Sequence, residues 1–153
     1  MRLVSPLLFL AAAGGWAQSA DEVSISVVAV QARNEGGATK TFGPGLEDVK
    51  TAIEGLDFDS FTKVKGVTVT AKSDEDTRVA INDTYALVLK YVSRAKDGRV
   101  KVEARIELVP KKAGAAPVTA LRTELTMAPG KHVNLGGLRL DEGELILVLR
   151  VAR

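Results

Sequence analysis

From residue 23 onward the dominant period of this chain is two. Val23, Ile25, Val27, Ala29 and Gln31 share one face of residues 23–32, with Ser24, Ser26, Val28, Val30 and Ala32 on the other. Such alternation marks a strand. It resumes beyond Val64, where Val67, Val69 and Ala71 alternate with Thr68, Thr70 and Lys72. Val79 and Ile81 make a short strand stopped by Asn82-Asp83. Tyr85, Leu87, Leu89 and Tyr91 stand opposite Ala86, Val88 and Val92. Apolar residues on both faces suit a central strand. Val100, Val102, Ala104, Ile106 and Leu108 point one way, and Arg99, Lys101, Glu103, Arg105 and Glu107 the other. Residues 118–127 carry Leu121, Thr123, Leu125 and Met127 on one side. Val133 and Leu135 open a strand that Gly136-Gly137 interrupts before Leu138 and Leu140, the mark of a bulge or bend. Leu145, Leu147, Leu149 and Val151, with Ile146 and Val148 behind them, end the chain.

One stretch departs from period two. Leu46, Val49, Ile53 and Leu56 recur at helical spacing, after Pro44 and acidic Glu47-Asp48 and before Gly55. Phe58 and Phe61 follow as core plugs for that helix. The turn signals are Ser73-Asp74-Glu75-Asp76, Pro129-Gly130, Asp141-Glu142-Gly143 and Asp97-Gly98. The last predicts a type I′ hairpin. About eight strands with short connections predict a mainly β fold. The expected form is an antiparallel β-sandwich or a partly closed barrel, with one short helix near residues 45–55.

The first residues obey different rules. Arg2 precedes an apolar run over residues 3–13, and small residues lead to polar Gln18-Ser19. That is the layout of a signal peptide. The run, about eleven residues and containing Pro6, is too short for a membrane span of about 20. Gly15-Trp16-Ala17 fits cleavage after Ala17, and Ala17-Gln18-Ser19 fits cleavage after Ser19. Residues 1–17 are therefore expected to be a signal peptide and 18–153 a single exported β domain. The chain has no cysteine, so neither a lipid anchor nor a disulfide is available. Small secreted animal domains usually rely on disulfides. The expected compartment is therefore the bacterial envelope, periplasmic or secreted.

Charge and composition narrow the partners. Charged residues are 26% of the chain and hydrophobic ones 46%, an ordinary globular balance. The net charge of +2 falls to +1 once Arg2 leaves with the leader. Charges alternate in sign along Lys101-Glu103-Arg105-Glu107, which is a solvated sheet face and no nucleic-acid footprint.

Candidate chemistry is sparse. His132 is the sole histidine, and without cysteine it cannot build a zinc site. The acidic groups Asp74-Glu75-Asp76, Asp57-Phe58-Asp59 and Asp141-Glu142-x-Glu144 match no calcium loop. None of Ser24, Ser26, Ser60, Ser73 and Ser93 lies in a Gly-x-Ser-x-Gly turn. Gly43-x-Gly45 and Gly136-Gly137 lack the Gly-Lys-Ser/Thr of a phosphate loop. Asn82-Asp83-Thr84 matches the N-glycosylation pattern only formally. No catalytic, cofactor or metal set is expected.

Three stretches resemble the end of the secretin homology domain of outer-membrane secretion channels. They are Thr123-Glu124-Leu125-Thr126, then Pro129-Gly130-Lys131-His132-Val133-Asn134-Leu135-Gly136-Gly137-Leu138, then Glu144-Leu145-Ile146-Leu147-Val148. Secretins place a gate-forming insertion among these elements, where this chain has only residues 139–143. The resemblance implies a secretion-system accessory role. The general layout also resembles small exported bacterial β-proteins of no assigned function.

The expected function is a non-enzymatic exported module that binds or scaffolds in the envelope. Its partner would be another envelope protein or a second copy of itself, with no cofactor, nucleic acid or membrane span. Val23, Ile25 and Val27 are expected to form an edge strand open to a partner, so that Val27→Pro would abolish assembly without unfolding the sheet. The alternative is a small-ligand or carbohydrate site lined by Phe42, Tyr85 and Tyr91. A third is a hydrolase with two carboxylates drawn from Asp57, Asp59, Glu103, Glu107 and Glu124.

Overall fold

A computed structural model describes residues 21–152; the expected signal peptide and its cleavage sites lie outside the described residues. The elements are strands β1 (Glu22–Arg33) and β2 (Thr41–Phe42), helix α1 (Lys50–Ile53), and strands β3 (Ser60–Lys72), β4 (Thr77–Ala80), β5 (Tyr85–Arg94), β6 (Val100–Leu108), β7 (Val118–Met127), β8 (His132–Arg139) and β9 (Glu144–Val151). One sheet has the order β2-β3-β1-β9-β8 and the other β4-β5-β6-β7. All pairings are antiparallel except β2 with β3. With β2 set aside, the strands run round the molecule in chain order and β9 returns to β1. The ring is interrupted between β3 and β4 and between β7 and β8. The result is a β-sandwich and not a closed barrel.

The sandwich core lies between the sheets. Ile25 and Val27 of β1, Leu87 and Leu89 of β5, Val102 and Ile106 of β6, and Leu145, Leu147 and Leu149 of β9 are fully buried there. These are the inward members of the alternating runs. A second apolar layer covers the far face of the first sheet. There Val30, Ala32, Ile146, Val148 and Phe61 meet Leu46, Val49 and Ile53. The helical face is as expected, but the helix is four residues, not about ten. Three backbone bonds around it close on the residue three before: Val49 to Leu46, Ala52 to Val49 and Leu56 to Ile53. Tight turns of this kind do not extend into a regular α-helix. Phe61 stacks on Phe42, with ring centroids 5.0 Å apart, and meets Phe58 edge-on.

Single-residue bulges allow two strands to do double work. On β3, Val64 is an extra residue between Lys63 and Lys65, opposite the Ala29/Val30 step. It reverses the alternation, so Phe61 faces the outer layer while Val67, Val69 and Ala71 face the core. On β8, Gly136-Gly137 gives the expected bulge, with Gly137 at φ +84. It keeps Val133, Leu135, Leu138 and Leu140 on one side.

Two expectations are corrected. Val23, Ile25 and Val27 do not lie on an edge. β1 pairs with β3 on one side and β9 on the other, and Val27 sits between Val67 and Leu149. Both faces of β1 are apolar, and only a central position buries both. The Asp97-Gly98 hairpin is not type I′, which needs φ > 0 at both central residues. Only Gly98 has positive φ; Gly98 N–H donates to Ala95 O at 3.0 Å and Ala95 N–H to Arg99 O at 2.9 Å. This is a three-residue loop with the glycine at its bulge, held by Asp97 Oδ1 accepting from Arg99 N–H.

Candidate functional site

The free side of β7 is the feature of this fold most open to another molecule. Four strands end sheets: β2, β8, β4 and β7. β2 has two residues and β4 four, and β8 is bent by its glycine bulge. Short or bulged edges resist further pairing. β7 has ten residues, no proline or glycine, and β6 as its sole strand partner; its one bulge, at Ala120, lies near its start and leaves residues 121–127 unbroken. Leu121 and Leu125 face the core but stay half-buried, because little of β8 comes across the open seam to cover them. Val118, at the start of β7, is 62% exposed.

The outward face of β6 and β7 is a flat field of charge. Register places Glu103 directly opposite Glu124, and Arg105 opposite Arg122. Like charges so placed repel. The repulsion is relieved diagonally: Arg122 donates to Glu103 at 2.8 and 3.1 Å, and Lys101 lies 3.4 Å from Glu124. Further in, Arg105 pairs with Asp76 at 2.7 Å, and Arg78 with the buried Glu107. Across β5, these long side chains roof over Ala86 and Val88, which are buried although they face outward.

The other expected site residues take structural positions. Tyr85 and Tyr91 are buried in the sandwich core. The Tyr85 hydroxyl donates to Arg139 O at 2.8 Å, tying the second sheet to the end of β8. Phe42 is half-buried on Phe61, with Lys50 Nζ 5.1 Å from its ring centre. Of the five candidate carboxylates, Glu103 and Glu124 are brought together, on the flat face and each beside a cation. Asp59 accepts the N–H groups of Glu35 and Gly37 at 2.8 and 2.9 Å, folding the loop after β1. Those donors, Glu35 first, hold its carboxyl below the usual aspartate range. In the acidic turn, Glu75 pairs with Lys72 at 3.2 Å and raises the lysine pKa, while Asp76 is held by Arg105. Asn82 Oδ1 accepts from the N–H groups of Thr84 and Tyr85, closing the turn into β5. Among the described residues no group of histidine, cysteine, aspartate or glutamate could hold a metal ion. Among them too, no helix is long and apolar enough to cross a membrane.

At one end of the sandwich the loops leave an open depression of about 700 Å³, reached by Asn82, Lys111, Arg139 and Asp141. None of Phe42, Tyr85 and Tyr91 lines it. Gln31 and Arg33 bridge its rim by bonding the Glu142 carbonyl at 2.7 Å and carboxylate at 2.8 Å.

His132 starts β8 opposite Arg150 of β9. Burial first, then the Arg150 charge, lower its pKa from the ordinary 6.5, against a smaller opposing effect of Asp48. The folded chain therefore takes this proton less readily than the unfolded one. The stabilisation from neutral His132 is complete above the unfolded pKa and is lost as pH falls through the folded one. An NMR titration of the ring Cε1–H should give a midpoint below 6.5. A midpoint at or above that value would mean Asp48 outweighs burial and Arg150.

Among the described residues, sheet topology defines a cysteine-free, mainly antiparallel β-sandwich with a long open edge at β7. The side of β3 away from β1 is also without a ladder partner over residues 62–72, but that stretch carries the Val64 bulge and Gly66. No protein-family model, curated protein or solved structure matches the chain. The edge was missed in the sequence although its signal was there: residues 118–127 alternate with a thin apolar face and a charged one, the pattern of a peripheral strand.

Proposed function

We propose that this protein is an exported, non-enzymatic binding or scaffolding module of the bacterial envelope, acting through the edge of β7. The observation that carries this reading is the run of β7 over residues 121–127, paired on one side only and free of proline, glycine and bulge, the one bulge of the strand lying before it at Ala120. Main-chain N–H and C=O groups along such an edge accept an extended segment as an added strand. The leader pattern and the lack of cysteine support the envelope as its place of action. Of the candidate carboxylates, Asp59, Glu103, Glu107 and Glu124 are taken up by cations or backbone donors, which supports a role without catalysis.

The test expresses the chain in envelope-bearing cells, with a photo-crosslinking residue replacing Thr126 on β7 or, as control, Ser26 on β1, which is paired on both sides. Irradiation is expected to give a discrete adduct from position 126 in the periplasmic fraction and none from position 26. No adduct from position 126 would overturn the binding reading. A chain that stays in the cytoplasm with residues 1–17 attached would overturn the export reading.

A further inference from the structure

We propose that the occupant of the β7 edge is β7 of a second copy of this chain, paired antiparallel about a twofold axis at Thr123. The inference rests on the reading of β7 as a binding edge and adds the partner and the register. In an antiparallel pair, residues directly opposite each other point to the same face. A twofold axis at Thr123 sets Arg122 opposite the second copy's Glu124 and Glu124 opposite its Arg122. On the inward face it sets Leu121 opposite Leu125 and Leu125 opposite Leu121, with the two Thr123 residues meeting at the centre.

Neighbouring registers do worse. Centring on Arg122 opposes two arginines, and centring on Glu124 opposes two glutamates. Centring on Leu121 or Leu125 leaves both charges without a counterpart across the joint. Within one copy, β6 offers Arg122 and Glu124 only like charges directly opposite, Arg105 and Glu103. Their opposite charges, Glu103 and Lys101, lie on the diagonal, and the second copy adds one directly across from each. Paired in this register, Arg122 stands between its own Glu103 and the other copy's Glu124. Glu124 likewise stands between its own Lys101 and the other copy's Arg122. The half-buried Leu121 and Leu125, left exposed at the open seam, are covered by the same leucines from across the axis. The two four-stranded sheets become one sheet of eight.

The partner is therefore recognised by a pattern that β7 itself carries: leucine and threonine inward, one arginine and one glutamate outward. Interfaces built on a single strand edge fall below the ~1,200 Å² of standard stable complexes, so the pair is expected to be a reversible dimer.

Sedimentation of the chain, purified as the cell processes it, tests the proposal over a hundredfold range of concentration. A monomer–dimer equilibrium is expected for the parent chain. Arg122→Glu alone opposes acid to acid across the joint, and Glu124→Arg alone opposes base to base. Each variant is expected to dimerise at least tenfold more weakly than the parent. Mixed in equal amounts, the two variants present only opposite charges to each other, and a heterodimer is expected to form. That recovery also shows that both variants are folded. A parent chain monomeric throughout, or two variants that dimerise as well apart as together, would overturn the proposal. In the first case a crosslink from position 126 to a different protein would leave the binding reading standing and remove only self-pairing. A mixture that stays monomeric while both variants keep the parent's circular dichroism would overturn the register.

Discussion

Val27→Pro is expected to unfold this domain. Proline has no N–H to donate, and Val27 lies mid-strand in β1, between Val67 of β3 and Leu149 of β9. Every backbone donor at such a position has a neighbouring carbonyl to serve. Losing one leaves a buried carbonyl without its partner, at a cost of about 1–3 kcal/mol. The ring also pushes against an adjoining strand, and the Val27 side chain, 1% exposed, leaves a core it fills. The summed loss, on the order of 5 kcal/mol, reaches the lower end of the stability of an ordinary domain. Val118→Pro is the counterpart, at the first residue of an edge strand with its side chain 62% exposed. Proline is tolerated at strand starts, and a change within ~1 kcal/mol is expected. Urea unfolding followed by far-ultraviolet circular dichroism separates the two. A Val27→Pro protein with the parent's spectrum and midpoint would place β1 at an edge after all.

Why β1 reads as an edge from sequence, and is not one, comes down to which feature is weighed. Val28, Val30 and Ala32 make its second face apolar, just as Ala86 and Val88 do for β5, and both strands lie inside their sheets. Alternation alone is enough to place β5 correctly, and applied evenly it places β1 too. Every strand but the two-residue β2, the helical face of Leu46, Val49 and Ile53, and the Gly136-Gly137 bulge were legible, since each depends on local spacing. The Val64 bulge was not. Phe61 and Val67 are an even number of residues apart and belong on one face by counting, yet they serve different apolar layers. One unpaired residue decides that, and nothing in the composition of 60–72 marks it. The charged face of β6 was legible, but it is less solvated than the alternation suggests, since Glu107 is buried beside Arg78. Its pairing with β7 was not legible, because register is set across strands that the sequence separates. Tyr85 and Tyr91 show the same limit: alternation puts them on the inward side, and only the second sheet packed against them turns that side into core.

Gly143→Ala is expected to be the most damaging of the glycine substitutions. Gly143 closes the turn between β8 and β9, where Leu140 N–H donates to its carbonyl at 3.1 Å. Its φ is +81, which already disfavours a side chain by about 1 kcal/mol. Crowding costs more than the backbone angle does. A methyl group there would lie 2.1 Å from the Ala32 carbonyl oxygen and 2.6 Å from Arg33 Cγ. The oxygen belongs to the end of β1, a strand held on both sides, so it cannot give way without moving the sheet. Arg33 is itself tethered to the same turn by its 2.8 Å bond to Glu142. Gly114 separates the two effects, since it has φ +83 and nothing within 4 Å of the added carbon. Gly114→Ala is expected to cost about 1 kcal/mol and lower the melting temperature by about 3 °C. Gly143→Ala is expected to cost roughly 3–5 kcal/mol and lower it by about 10 °C or more. Thermal unfolding of the two variants beside the parent measures the difference. Equal shifts would mean that the turn moves off β1 at little cost, and that the close approach of Gly143 to Ala32 does not hold the β8–β9 corner in place.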